Sequence, residues 1–152
     1  MFRRLLPRLL GEDPAGPALS RDDAEVAVAA LLVRLARADN HYGELERARI
    51  DALLSLRQPL SPDEIADRRA AAEMVEAEVS DTRRLTAAIR TRIARDQCAG
   101  IMVALWDLAR TDGAETPWEI ATVDRIALLL GIGTADGAQA GQQIDLTTGS
   151  ET

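Results

Sequence analysis

The 152-residue chain has no lysine, one cysteine and one histidine, and only 3% of its residues are aromatic. Each shortage excludes something. Cys98 alone forms no internal disulfide, and His41 gives it no company for a zinc site of the Cys/His type. No Ser/His/Asp or Cys/His catalytic set is recognisable, and no glycine-rich phosphate loop is present. The chain is therefore expected not to be an enzyme. A formal charge of −7 argues against a nucleic-acid partner, because phosphate binding needs a basic face. With every basic residue an arginine, the composition looks like a coding bias and not a choice of phosphate ligands. No apolar run reaches membrane-spanning length and no signal-peptide core appears, so the expected location is cytoplasmic.

What is present points to helices. Scarce aromatics leave Leu, Ile, Val and Ala to fill the core, and few Gly or Pro interrupt them. Ser20 before Asp22 and Asp23 is a helix start, and Val26, Ala29, Val33 and Ala36 form one apolar stripe behind it. That helix should end near Asp39. A second starts near Gly43 and runs to about Leu56. Ser61-Pro62-Asp63-Glu64 combines an N-cap, a proline at the first helical position and a capping glutamate. A break at Ser80–Thr82 precedes an arginine-rich helix with Leu85 and Ile89, then an apolar one ending near Arg110. Thr116-Pro117-Trp118-Glu119 opens the last helix, which Gly131 stops. The reading is all-α, a single compact helical bundle of about seven helices. Residues 1–19 form an N-terminal segment and loop, 20–132 the helical domain, and 133–152 a flexible tail.

A shift of 73 residues lays Leu32–Leu54 on Leu105–Ala127 without a gap. Leu35, Ala36, Arg37, Asp39, Glu46 and Asp51 recur as Leu108, Ala109, Arg110, Asp112, Glu119 and Asp124. Each copy is helix, short acidic loop, helix. Two such repeats related by an approximate two-fold axis would share one core.

These residues carry a family resemblance. Leu-Ala-Arg-Ala-Asp-Asn followed by Glu-Leu-Glu, and Leu-Ala-Arg-Thr-Asp-Gly followed by Thr-Pro-Trp-Glu, resemble the TerB-like, tellurite-resistance-associated domain. The likeness covers Asp22 to Ile132 and is stronger in the second copy. The first has Asn40 where Gly is usual and Gly43 where Ser or Thr is common. The resemblance implies an all-helical bacterial domain, also found fused to a J-domain co-chaperone, with paired acidic positions that bind divalent cations. Carried onto this chain, those positions are Asp39, Glu46, Asp112 and Glu119. The cation is left open among Ca²⁺, Mg²⁺, Mn²⁺ and Zn²⁺.

Carboxylates beside a turn suit hard cations, which take several oxygen ligands, and Glu44 and Glu115 could add to them. The loop is not an EF-hand, since Ile50 stands where that motif needs its bidentate glutamate. The same residues have a second use: Glu119 after Thr116, and Glu46 after Gly43, stand where a capping box places its glutamate, and the aspartates suit Asx-turns. Both readings stay open. Trp106 and Trp118 flank the second loop as an expected packing pair. His41 reads as an exposed loop residue and Cys98 as core. A protein partner is expected, with the stretch Arg83–Arg95 as one docking face. Residues 1–10, apolar and arginine-bearing, could touch a membrane surface weakly or pack on the domain.

Overall fold

The computed structural model describes residues 5–11, 18–38, 40, 42–111, 113 and 116–132. Seven α-helices and no strand occur among them: α1 (Leu5–Leu9), α2 (Arg21–Ala38), α3 (Glu44–Arg57), α4 (Pro62–Glu78), α5 (Thr82–Arg90), α6 (Cys98–Ala109) and α7 (Pro117–Leu129). A 3₁₀ turn, Arg95–Gln97, leads into α6. The expected tail, 133–152, lies outside the described residues. So do 1–4 of the N-terminal segment and 12–17 of the loop after it. Among the described residues no helix is long and apolar enough to cross a membrane.

Helix boundaries follow local chemistry. Ser20 Oγ accepts the Asp23 N–H at 3.0 Å while the Ser20 N–H donates to Asp23 Oδ2 at 2.9 Å, which closes the start of α2. Ser61 and Glu64 repeat that exchange at α4, and Asp81 caps α5 through the Arg83 N–H. Helix α7 ends where Gly131 takes φ +80° and the Ile132 N–H reaches back to the Ala127 carbonyl at 2.9 Å. That is a Schellman closure, and only a residue free to adopt left-handed backbone makes it cheaply. Pro7 lies in the first turn of α1, where its missing N–H had no partner to lose.

Helix α2 is the axis of the bundle. It packs against α3, α4, α5, α6 and α7, and every residue from Asp23 to Val33 is buried. The single stripe expected from its spacing is therefore too narrow: helices enclose it on all sides. Leu31, Leu32 and Leu35 of α2 meet Ile50, Leu85, Ile89, Ile101, Leu105 and Ile126 in one core. Each such side chain contributes about 1.5–3 kcal/mol by leaving water. Leu5 and Leu9 join the core from α1, which sits on α5, and Arg84 Nη1 donates to the Leu9 carbonyl at 2.7 Å.

Burying the Asp23–Val33 stretch of α2 also buries Glu25, 1% exposed. Arg57 of α3 grips its carboxylate through Nε at 2.7 Å and Nη2 at 3.0 Å, and Arg21 adds a contact at 3.2 Å. Burial pushes the Glu25 carboxyl up, but the two arginines outweigh it and hold the group below its ordinary value.

Candidate functional site

Among the described residues, both loops place a positive-φ residue at matching positions. Helix α2 ends at Ala38, and the Asn40 N–H donates to the Arg37 carbonyl at 3.0 Å with φ +56° at Asn40. Helix α6 ends at Ala109, and the Gly113 N–H donates to the Arg110 carbonyl at 3.1 Å with φ +118° at Gly113. These residues correspond under the 73-residue shift of the sequence. Asparagine is the non-glycine residue that tolerates left-handed backbone best, so Asn40 preserves the turn where glycine is usual.

The glutamates after the loops also correspond. Glu119 Oε1 accepts the Thr116 N–H at 2.9 Å, and Thr116 Oγ1 accepts the Glu119 N–H at 3.2 Å. Glu46 Oε1 accepts the Gly43 N–H at 2.9 Å, but Gly43 has no side chain to return the bond. The first corner thus has half a capping box and the second a whole one. Glu46 is 7% exposed and Glu119 is half-buried. Each cap occupies one carboxylate oxygen, so capping and cation binding are compatible uses of the same side chain.

Asp39 and Asp112 lie outside the described residues, as do His41 and Glu115. The structure places Glu46 and Glu119 each in its own cap. Glu44, the first residue of α3, is exposed. Among the described residues no three of His, Cys, Asp and Glu gather in a group that could hold a metal.

Polar contacts brace both corners. Beside the first, the Tyr42 hydroxyl donates to Glu73 of α4, and the Arg37 and Arg47 guanidiniums lie 5.1 and 5.5 Å from the Tyr42 ring centre. Burial, then the bond to Glu73, raises the Tyr42 phenol above its ordinary range. Arg37 also pairs with Glu76 at 3.2 Å, and Arg69 bridges Asp51 at 2.7 Å to Glu73 at 3.5 Å. Beside the second, Arg110 lies 5.5 Å from the Trp106 ring. Trp106 is 7% exposed and Trp118 is 71% exposed. The expected tryptophan packing pair is not a buried one; Trp118, at the second position of α7, points into solvent like Leu45 at the matching position of α3.

The two helix pairs are tied by a bond that sequence reading missed. Arg49 of α3 grips Asp107 of α6 through Nε and Nη2, both at 2.5 Å. Nothing in the local pattern announces it, because the partners are far apart in sequence and neither stands on the duplicated acidic motif. Cys98 is buried, as expected, and burial raises its thiol above the ordinary range.

A family model described as Tellurite resistance protein TerB matches residues 25–142. No curated protein and no solved structure matches the chain significantly.

Proposed function

We propose, for a chain that belongs to the TerB family, a non-enzymatic role in which the two acidic corners bind divalent cations as part of a response to tellurite or metal stress. The observation that carries this reading is the matched placement of Glu46 and Glu119. Each is fixed at the mouth of its loop by one carboxylate oxygen. A capped glutamate loses little further freedom on meeting a cation, which lowers the entropic cost of binding.

Asp39 and Glu46 would serve one corner, Asp112 and Glu119 the other. The chemistry such an ion supplies is a charge that draws carboxylates together. Hard ions accept this oxygen set readily, and the last carbonyls of α2 and α6 present the negative ends of their helix dipoles to the loops. The positive ends of α3 and α7 oppose a cation, and the glutamates offset them. The chain's own part is to join the end of one helix to the start of the next. Arg49–Asp107 then links α3 of the first pair to α6 of the second.

A thermal melt with each of Ca²⁺, Mg²⁺, Mn²⁺ and Zn²⁺ tests the reading. The wild type should melt higher with the bound ion, and an Asp112→Asn, Glu119→Gln variant should respond less. An unchanged wild-type melt at millimolar ion would overturn it. A metal-independent docking role is the second reading, favoured by a cleft away from the corners. Membrane-surface contact through residues 1–10 is less supported, because Leu5 and Leu9 are spent on the core.

A further inference from the structure

A cleft of about 470 Å³ opens where α2, the α3–α4 connection and α4 meet. Its apolar lining comes from Val26, Leu60, Ala70, Ala71 and Met74. Met74 is 49% exposed, a flexible apolar side chain left in water beside two alanines that allow close approach.

The polar part of the lining is anionic. Glu64, Asp67, Ala71 and Met74 follow one another at spacings of three and four residues, so they share one face of α4. The carboxylates occupy the N-terminal end of that face and Met74 the other end. Asp22 of α2 joins the carboxylates, its Oδ1 accepting from Arg68 Nη2 at 3.1 Å. Arg68 is the one basic residue of the lining; its charge is paired internally with Asp22, and it also donates to the Gln58 side-chain carbonyl. Glu64 is partly committed to the Ser61 N–H. Asp67 is exposed and has no side-chain hydrogen bond or ion pair among the described residues.

We propose that this cleft docks a basic amphipathic helix of a partner protein. Asp67 and Met74 are seven residues apart on α4, which is about 10 Å along the helix. A partner helix carrying an arginine or lysine seven residues from a leucine spans the same distance. Its apolar residue would fill the space beside Met74 and Ala71, and its cation would meet Asp67 and Glu64. Charge decides the occupant. A second copy of this chain, at −7, brings acid to acid, whereas a basic segment gains the attraction that the buried Arg68 does not satisfy. The cleft shares no residue with the acidic corners. It lies on the face of α4 opposite Glu73 and Glu76, which hold Tyr42 and Arg37 beside the first corner.

The test uses the full chain and a fluorescent helical peptide of about five turns, with a leucine stripe and arginines on its flank. A peptide with glutamates in place of the arginines is the control. The arginine peptide should bind at micromolar concentration and weaken with salt. Asp67→Arg and Met74→Glu should each weaken it about tenfold, Asp67→Asn less, and Glu119→Gln not at all. Both groove residues are exposed, and circular dichroism checks that the variants keep their helices. Absence of binding up to millimolar chain would overturn the proposal, as would equal binding by the groove variants or by the glutamate peptide. Binding of decylammonium without the peptide would assign the cleft to a small amphiphile instead. Dimerisation abolished by Met74→Glu would assign it to a second copy. Either result overturns the proposal. Because the cleft contains no residue of the acidic corners, failure here leaves the cation reading standing, and the reverse also holds.

Discussion

Glu119 accepts the Thr116 N–H at 2.9 Å through Oε1, while its own N–H donates to Thr116 Oγ1 at 3.2 Å. The bond uses one oxygen and does not require the negative charge. Glutamine can fill the same cap, so Glu119→Gln should change stability by no more than about 0.5 kcal/mol. Glu119→Ala removes the acceptor and should lose about 1 kcal/mol. Urea denaturation of both variants without added metal separates the cap from the charge. Equal losses would show that the hydrogen bond does not carry the cap.

Gly43 is the unfinished half of the matching cap at α3. Its backbone is extended, with φ −112° and ψ −163°, and an added Cβ would come no nearer than 3.4 Å, to Glu46 Oε1. Gly43→Ser should therefore stabilise the chain by about 0.5–1 kcal/mol, through the missing side-chain acceptor and a less flexible unfolded state. A rise of a few degrees in melting temperature is the expected reading; a fall would show that the glycine is needed for another reason.

Asn40, at φ +56°, sits where side chains are strained. Asn40→Ala should lose about 1 kcal/mol, while Asn40→Gly should stay close to wild type. Chemical denaturation of the two variants checks the order. Equal stability would mean that the left-handed turn is not maintained in solution.

Glu25 and Arg57 set a pH dependence. The Glu25 carboxyl is held below its ordinary value of 4.5, so the stability it contributes is full above that pH and is lost as pH falls through the depressed folded value. Arg57→Met removes the main partner and leaves a buried charge, at a cost of about 3–5 kcal/mol near neutral pH. In that variant burial dominates and raises the carboxyl, so part of the loss should return as pH falls toward 4.5. Melting curves across pH 3–7 (chosen to bracket about the ordinary carboxylate range) read both signs. A variant that only loses stability on acidification would contradict the assignment.

The helices were legible because their ends are written locally. Ser20, Ser61 and Thr116 each stand three residues before an acid, and Gly131 follows the last apolar turn. The repeat of residue type and order seventy-three positions apart is in the sequence itself, and the structure adds positive φ at Asn40 and Gly113 and capping bonds to Glu46 and Glu119 at matching positions. What escaped lies between distant segments. The burial of the Asp23–Val33 part of α2 on every side depends on five helices arriving around it, although the apolar Ala24–Val33 stretch, interrupted only by Glu25, was a signal. Arg57 for Glu25, Asp107 for Arg49 and Asp22 for Arg68 are partners chosen by packing, and no local spacing encodes them. Trp118 was misread for a related reason: its first-turn position on α7 faces outward, and an aromatic residue near a corner is not thereby packed into it.

The cation reading rests on Asp112 and Glu119 acting together, and isothermal titration calorimetry measures that most directly. Each of Ca²⁺, Mg²⁺, Mn²⁺ and Zn²⁺ is titrated into the wild type and into Glu119→Gln, at matched concentration and after chelation. The account predicts a saturable heat with at least one ion in the wild type; in Glu119→Gln, whose cap is intact, the second-corner site should weaken at least about tenfold while the Asp39/Glu46 corner still binds, so that the stoichiometry falls. No heat with any ion up to millimolar concentration, or the same isotherm from both proteins, would contradict it.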